Sequence, residues 1–210
     1  MTAAPAPAGA ITTVLFDFAG VLTSSPWGAL TAAGGGNLEL MIGSYEQDTD
    51  HPWHRVERGE LGIAEWAVEI TALGAEAGVE IDFAVLQGLL SDMTIHHQVI
   101  DCIRELRTRG YRLGLITNNV REGSATWRAM VPVDELFEVV VDSSEVGMRK
   151  PNPAIYLHAL ELLGVADPAE AVFLDDSLGN VVGAQRAGLH AIHVETPDQA
   201  LAALDELLNT

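Results

Sequence analysis

The chain has 210 residues, 48% of them hydrophobic, enough for one sizeable core with room for an inserted unit. A balance of 30 Asp and Glu against 11 Lys and Arg gives a formal net charge of −19, which excludes a basic nucleic-acid face or an anionic membrane surface as partner. Cys102 is the sole cysteine, no Lys or Arg precedes Arg55, and no long apolar run occurs. These features exclude an intrachain disulfide, support neither a secretory signal nor a membrane span, and make a cytoplasmic protein the expectation.

Residues 1–10 are Ala- and Pro-rich and read as a disordered leader. The first predicted strand, about Ile11 to Phe18, carries Val14-Leu15-Phe16 into Asp17, and the small-residue turn Ala19-Gly20 follows. A buried strand that ends in a carboxylate presents it at the rim of a sheet, where open α/β sheets bind ligands. Taken alone, the same pattern fits an Asp that caps the next turn. Residues 24–92 contain no convincing strand, only helical segments broken by glycines such as Gly34-Gly35-Gly36. In one of them Ile63, Trp66, Ala67 and Ile70 share a face. His51-Pro52-Trp53-His54 reads as a helix-start turn with exposed histidines and one anchoring Trp. Arg55 and Arg58 are the only basic residues of this region and are expected to pair with Glu57, Glu60 or Glu65.

The rhythm then changes. A helix over 95–109 begins at a surface pair, His96-His97, turns Cys102 toward the core and ends in Arg107, Arg109 and Gly110. Strands are predicted at Arg112–Thr117, Phe137–Val141, Ala171–Leu174 and Ala191–Val194. Helices alternate with them at Ser124–Met130, Ala154–Leu163 and Asn180–Ala187, and Thr196-Pro197-Asp198-Gln199 opens a terminal helix with a capping-box pattern. Apolar strands alternating with helices indicate an α/β fold with a Rossmann-like parallel sheet core and helices on both faces. The core is assigned to residues 11–23 and 93–210, with residues 24–92 inserted as a helical cap.

Right-handed crossovers bring the strand ends to one edge. Asp17, Thr117-Asn118, Asp175-Asp176 and Lys150, the only lysine, then meet there, with Arg149 read as a solvated neighbour. Clustered carboxylates repel one another unless a cation sits among them, and an all-oxygen ligand set favours Mg²⁺. A hydroxyl, an amide and an ammonium alongside are suited to holding a phosphoryl group or another anion.

In these residues the sequence resembles the haloacid dehalogenase-like hydrolase superfamily, from about Val14 to Leu201. Asp17-Phe18-Ala19-Gly20-Val21 is similar to the first motif of the family, Thr117-Asn118 to the second, Lys150 to the third and Leu174-Asp175-Asp176-Ser177-Leu178-Gly179-Asn180 to the fourth. The resemblance implies covalent phosphoryl-ester hydrolysis of a small phosphorylated molecule, with Asp17 as nucleophile and Lys150 as its catalytic partner. It further implies Mg²⁺ held by Asp17, the backbone carbonyl of Ala19 and Asp176, with Asp175 close behind. Thr117, Asn118 and Lys150 would hold the phosphoryl oxygens.

One residue departs from the pattern. Ala19 stands where the phosphatases carry a second Asp that protonates the leaving alkoxide and then activates water. A positioned acid/base of this kind is worth about 10²–10⁴ in rate. The expectation is therefore a phosphatase-type hydrolase of reduced or selective activity. A catalytically silent protein that binds a phosphorylated ligand stands as the alternative, with a 2-haloacid dehalogenase behind it. Phosphonoacetaldehyde hydrolases also carry Ala here, but they need a cap lysine and this chain has none.

Overall fold

Five parallel strands build the sheet: β1 (Thr13–Phe16), β2 (Arg112–Thr117), β3 (Val139–Asp142), β4 (Ala171–Asp175) and β5 (His190–His193), in the order β3-β2-β1-β4-β5. The computed structural model describes residues 10–25, 37–44, 46–83 and 93–209. The expected leader, apart from Ala10, and the Gly34–Gly36 run lie outside the described residues.

The strands are apolar on both faces because helices cover both. Period-2 alternation sends Val14 and Phe16 of β1 to one side with Leu113, Leu115, Val172 and Leu174, while Leu15 joins Ile116, Val141 and Phe173 on the other. The first face is covered by α4 (His97–Thr108), α5 (Ser124–Met130) and α6 (Val133–Leu136), and by α10 (Pro197–Leu208). The second is covered by α8 (Pro153–Leu163) and α9 (Leu178–Arg186), and α7 (Ser143–Val146) follows β3 directly. β1 pairs with β2 on one side and β4 on the other, so the strand order reverses between β1 and β4. Such a switch point opens a crevice beyond the carboxyl ends of the strands.

Between β1 and α4 the chain adds α1 (Leu38–Ile42), α2 (Pro52–Glu57) and α3 (Ile63–Ala77). These helices form their own small core of Met41, Ile42, Val56, Trp66 and Ile70, and Trp66 Nε1 donates to the Met41 carbonyl at 3.0 Å. Arg55 pairs with Glu60 and Glu69, and Arg58 with Asp48 and Glu60. Glu57 and Glu65 are not the partners, because Glu65 accepts from the Gly62 N–H and Glu57 turns inward.

Three local expectations are corrected. His54 is not exposed but fully buried, its Nδ1 held by the Thr49 N–H at 3.0 Å, and His51 spends its ring on the Trp53 N–H and the Leu40 carbonyl. His96 is half-buried, unlike the exposed His97: its Nδ1 meets the Val21 carbonyl at 2.9 Å and ties the start of α4 to the turn after β1. At α10 the Thr196 hydroxyl accepts from the Gln199 N–H, but the Gln199 side chain accepts from Glu195, one residue before the cap, so the box is offset. Among the described residues no helix is long and apolar enough to cross a membrane.

Candidate active site

Asp17 continues the β1 ladder, its N–H donating to the Leu174 carbonyl at 2.9 Å, and its side chain emerges at the switch point. Oδ1 accepts from the Phe18 N–H at 2.6 Å and lies 2.7 Å from Lys150 Nζ. Asp175 ends β4 fully buried, with Oδ2 also 2.7 Å from Lys150 Nζ. The remaining capacity of Asp175 is taken by the Ser177 N–H at 2.8 Å and by Asn180 Nδ2 at 3.0 and 3.1 Å. Ser177 caps α9 by accepting from the Asn180 N–H, so the start of that helix fixes both partners of Asp175. Asp175 is thus saturated with donors and orients the lysine.

Lys150 is 1% exposed, and its ammonium also lies 5.3 Å from the centroid of the Phe173 ring. Its main chain is fixed from β2: Asn118 Oδ1 accepts the Lys150 N–H at 2.8 Å and Asn118 Nδ2 donates to the Lys150 carbonyl at 3.0 Å. The Asn118 side chain is therefore committed to the lysine. Thr117 ends β2 buried beside Asp142 in register, and Asn119 Nδ2 reaches its hydroxyl at 3.5 Å.

Asp176 follows Asp175 at the rim, and Gly20 packs against it. A Cβ at Gly20, whose φ is +80°, would lie 2.1 Å from the Asp176 carboxyl carbon. Only a residue without a side chain lets the turn after β1 approach that carboxylate. Ala19 lies in the same turn, bridged to Thr23. Asp17, Asp175 and Asp176 each offer an oxygen, and these atoms lie within 4.8 Å of one another. The set is all carboxylate, and Asp17 Oδ2 takes no hydrogen bond from a described residue. That chemistry fits a small hard cation held chiefly by Asp17 and Asp176.

Electrostatics point the same way. Three carboxylates surround one ammonium. Burial pushes the Asp17 carboxyl well above the usual range; Lys150 opposes this, while the Asp175 and Asp176 charges add to it. Burial and the Asp175 charge likewise raise Asp176. Burial disfavours the Lys150 ammonium, but Asp17 and Asp175 outweigh it and hold the proton more tightly than on a free lysine. With all three carboxyls ionised, the cluster would carry more negative charge than its one cation balances.

The structure thus brings Asp17, Lys150, Asp175 and Asp176 into one cluster, with Thr117 and Asn118 at the adjoining strand end. Arg149 contradicts its reading as a solvated neighbour: it is 1% exposed, and its Nε donates to Glu57 Oε2 of α2 at 2.7 Å. A basic residue flanking a polar motif gives no sign of a partner 92 positions away. Asn180 was also missed as a site residue, although its place in the first turn of α9, five residues after Asp175, was readable. His54 offers no substitute for the missing carboxyl of Ala19, since burial, with Arg149 and His51 nearby, lowers its pKa to about 3.

Comparison with known proteins bears on the family and the fold. The family model of the haloacid dehalogenase-like hydrolases matches residues 11–188. The chain is 30% identical over 207 residues to the mouse protein named acyl-CoA dehydrogenase family member 10, of which it spans only 19%. It is 25% identical over 218 residues to the pyrophosphatase PpaX of Bacillus pumilus, covering 94% of this chain and 95% of that protein. Among solved structures, an enzyme of Bacteroides thetaiotaomicron in complex with magnesium and inorganic phosphate superposes with a TM-score of 0.62 at 26% identity, over 87% of this chain and 93% of that one.

Proposed function

The chain belongs to the haloacid dehalogenase-like hydrolase family, and on that premise we propose that it is a Mg²⁺-dependent phosphatase-type hydrolase that attacks a small phosphorylated substrate through Asp17. The observation that carries the reading is the single ammonium of Lys150 shared at 2.7 Å by Asp17 and Asp175, with Asp176 completing a carboxylate cluster. Magnesium and phosphate in the Bacteroides relative, and the pyrophosphatase name of PpaX, support the substrate class.

In this reading residues 24–92 are the cap and residues 11–23 with 93–210 the core. Asp17, Asp176 and the Ala19 carbonyl would hold the metal, with Asp175 behind them. Mg²⁺ held there would supply positive charge that offsets the carboxylates and the charge on the phosphoryl oxygens. Asp17 attacks phosphorus, the bond to the leaving oxygen breaks, and an aspartyl-phosphate forms; water then attacks that phosphorus, releasing phosphate and restoring the carboxylate. Lys150 stays paired with Asp175 as charge leaves Asp17 for the phosphoryl group, and Thr117 and the Asn118 backbone orient that group. Ala19 provides no proton, so the leaving oxygen is protonated by solvent. Leaving groups that need no acid, such as aryl and acyl oxygens, are favoured.

The test compares p-nitrophenyl phosphate with an alkyl phosphate, both with Mg²⁺, in the native chain and in Ala19→Asp. The native chain should hydrolyse the aryl ester and leave the alkyl ester almost untouched. Ala19→Asp should raise alkyl turnover by about 10²–10⁴-fold. No turnover in either protein despite Mg²⁺ and phosphate binding would favour a silent phospholigand-binding protein. Halide release from 2-chloropropionate without metal would favour a dehalogenase.

A further inference from the structure

The inserted helices are fastened to the sheet beside Lys150 through one buried guanidinium. Arg149 Nε donates to Glu57 Oε2 at 2.7 Å, and both side chains are almost wholly buried, at 1% and 7% exposure. The same guanidinium donates through Nη1 to the Gln47 carbonyl and stands 3.9 Å from Asp48 Oδ1. Arg149 therefore holds two separate parts of the insertion, the end of α2 and the segment before it. That segment lies on the core. Asn152 Nδ2 donates to Asp48 Oδ2 at 3.3 Å, and Glu46 packs so closely on Gly179 that a Cβ there would meet Glu46 Cα at 2.5 Å. Gly179 is the second residue of α9, directly beyond Asp175, Asp176 and Ser177. Residues 46–48 thus roof the helix start that aims Asp175 at Lys150.

On its other side Arg149 is bonded to Lys150, whose N–H and carbonyl are both held by Asn118. A buried charge pair tolerates little misplacement, because removing or shifting one member leaves the other charged and unpaired. Arginine's planar fork can serve Glu57 and the Gln47 carbonyl together, whereas a lysine ammonium is a point charge on a flexible stem.

We propose that the Glu57–Arg149 pair is a positioning device for the phosphoryl reaction, seating residues 46–48 over the start of α9 and fixing Lys150 between Asp17 and Asp175 as one unit. Its kinetic consequence rests on the function proposed above; its structural consequence does not.

The experiment uses the full chain and two variants, Arg149→Lys, which keeps the charge and loses the fork, and Glu57→Gln, which keeps the shape and loses the charge. Turnover of p-nitrophenyl phosphate with Mg²⁺ is measured well below each melting midpoint, so that loss of folded protein does not enter. Hydrogen exchange is followed over residues 46–57 and, for reference, over β1 and β4. Both variants should lose about tenfold or more in kcat with KM shifted less than about threefold, the signature of an arrangement needed in the transition state. Exchange over 46–57 should accelerate while β1 and β4 stay protected. Unchanged kcat in both variants, or unchanged exchange over 46–57, overturns the proposal. If the native chain hydrolyses no phosphate ester, the function proposed above fails separately and the exchange result alone decides the fastening. If Arg149→Lys does not fold, the near-isosteric Glu57→Gln decides both.

Discussion

Asn118 clasps the main chain of Lys150 by two hydrogen bonds, accepting its N–H at 2.8 Å and donating to its carbonyl at 3.0 Å. The amide fits because it carries one donor and one acceptor side by side, a pair that no carboxylate or hydroxyl reproduces. Asn118→Ala opens both bonds, and Asn118→Asp turns the second into a contact between two oxygens. Displacing a catalytic group by about 1 Å can reduce the rate about 10²-fold. Either variant should therefore lose about 10- to 100-fold in kcat/KM for p-nitrophenyl phosphate while Mg²⁺ affinity stays near native. Native kcat/KM in both variants would remove the clasp from the mechanism.

Lys150→Met takes the one ammonium out of a cluster of three carboxylates. Breaking a buried pair by deleting one partner lowers stability by about 3–5 kcal/mol, because the surviving charge is left uncompensated. Denaturant unfolding at neutral pH, in EDTA, should show a loss of that order, and saturating Mg²⁺ should restore part of it. Turnover should fall by at least about 10²-fold with or without that restoration, because in the proposed mechanism the ammonium takes up charge that Mg²⁺ held by Asp17 and Asp176 would not reach. Lys150→Arg should not rescue turnover: a planar fork does not occupy a point 2.7 Å from both Asp17 and Asp175 as an ammonium does.

Most strands were legible because they are short, largely apolar runs bounded by turns, and the order of strands and helices left a parallel sheet as the simplest arrangement. The convergence of Asp17, Lys150 and the Asp175-Asp176 pair follows from that topology, since each lies at or just beyond a strand end. What escaped depended on partners distant in sequence. Arg149 and His54 are polar residues in polar surroundings, and such residues are mostly exposed. Arg149 is buried by Glu57 and Gln47, about a hundred positions earlier in the chain, and His54 is held by Thr49 within the insertion. The place of Asn118 at the end of β2 was legible, but the direction of its side chain was not, because an amide in a strand-end motif suits a ligand as well as a neighbouring main chain.

Gly20 offers a test of metal geometry that leaves every proposed ligand residue in place. A Cβ on it would lie 2.1 Å from the Asp176 carboxyl carbon, so Gly20→Ala must push that carboxylate aside. Displacing a ligand's support typically reduces metal affinity about 10- to 100-fold, and titration calorimetry with Mg²⁺ should find a loss in this range. Gly110→Ala is the control. It imposes the same kind of backbone strain, at φ +90°, but a Cβ there meets nothing within 4 Å. Equal Mg²⁺ affinity in the two variants would dissociate Asp176 from the metal.

The raised carboxyls of Asp17 and Asp176 fix the sign of a pH effect. Each holds its proton more tightly in the folded than in the unfolded chain. Without metal their contribution to stability is therefore fully present below the unfolded value of about 4 and is lost as pH rises through the raised folded values. Mg²⁺ binds the ionised forms, so it competes with those protons. The rise in melting temperature produced by a fixed Mg²⁺ concentration should grow as pH rises from the unfolded value of about 4 through the raised folded values, and a ligand present at 100 times its Kd adds about 2.7 kcal/mol. A shift that is constant or shrinks as pH rises would contradict metal binding at Asp17 and Asp176.

His54 acts in the opposite sense. Burial, then the Arg149 and His51 charges, lower its pKa to about 3, and its neutral Nδ1 serves the Thr49 N–H. In the unfolded chain the ring takes up a proton near pH 6.5. Its stabilising contribution is thus complete above that value and is lost as pH falls toward the folded value, at about 1.4 kcal/mol per pH unit for one proton. Asp17, Asp176 and Glu57 titrate in the other direction over part of the same range, so the effect must be read as a difference between proteins. His54→Phe keeps a ring but binds no proton. It should be less stable than the native chain at pH 7, where the Thr49 bond is lost. The gap in unfolding free energy should then narrow by about 1.4 kcal/mol for each pH unit below about 6. Urea melts at pH 7, 6 and 5 measure it, and a gap that stays the same from pH 7 to pH 5 would show that His54 accepts its proton inside the folded protein.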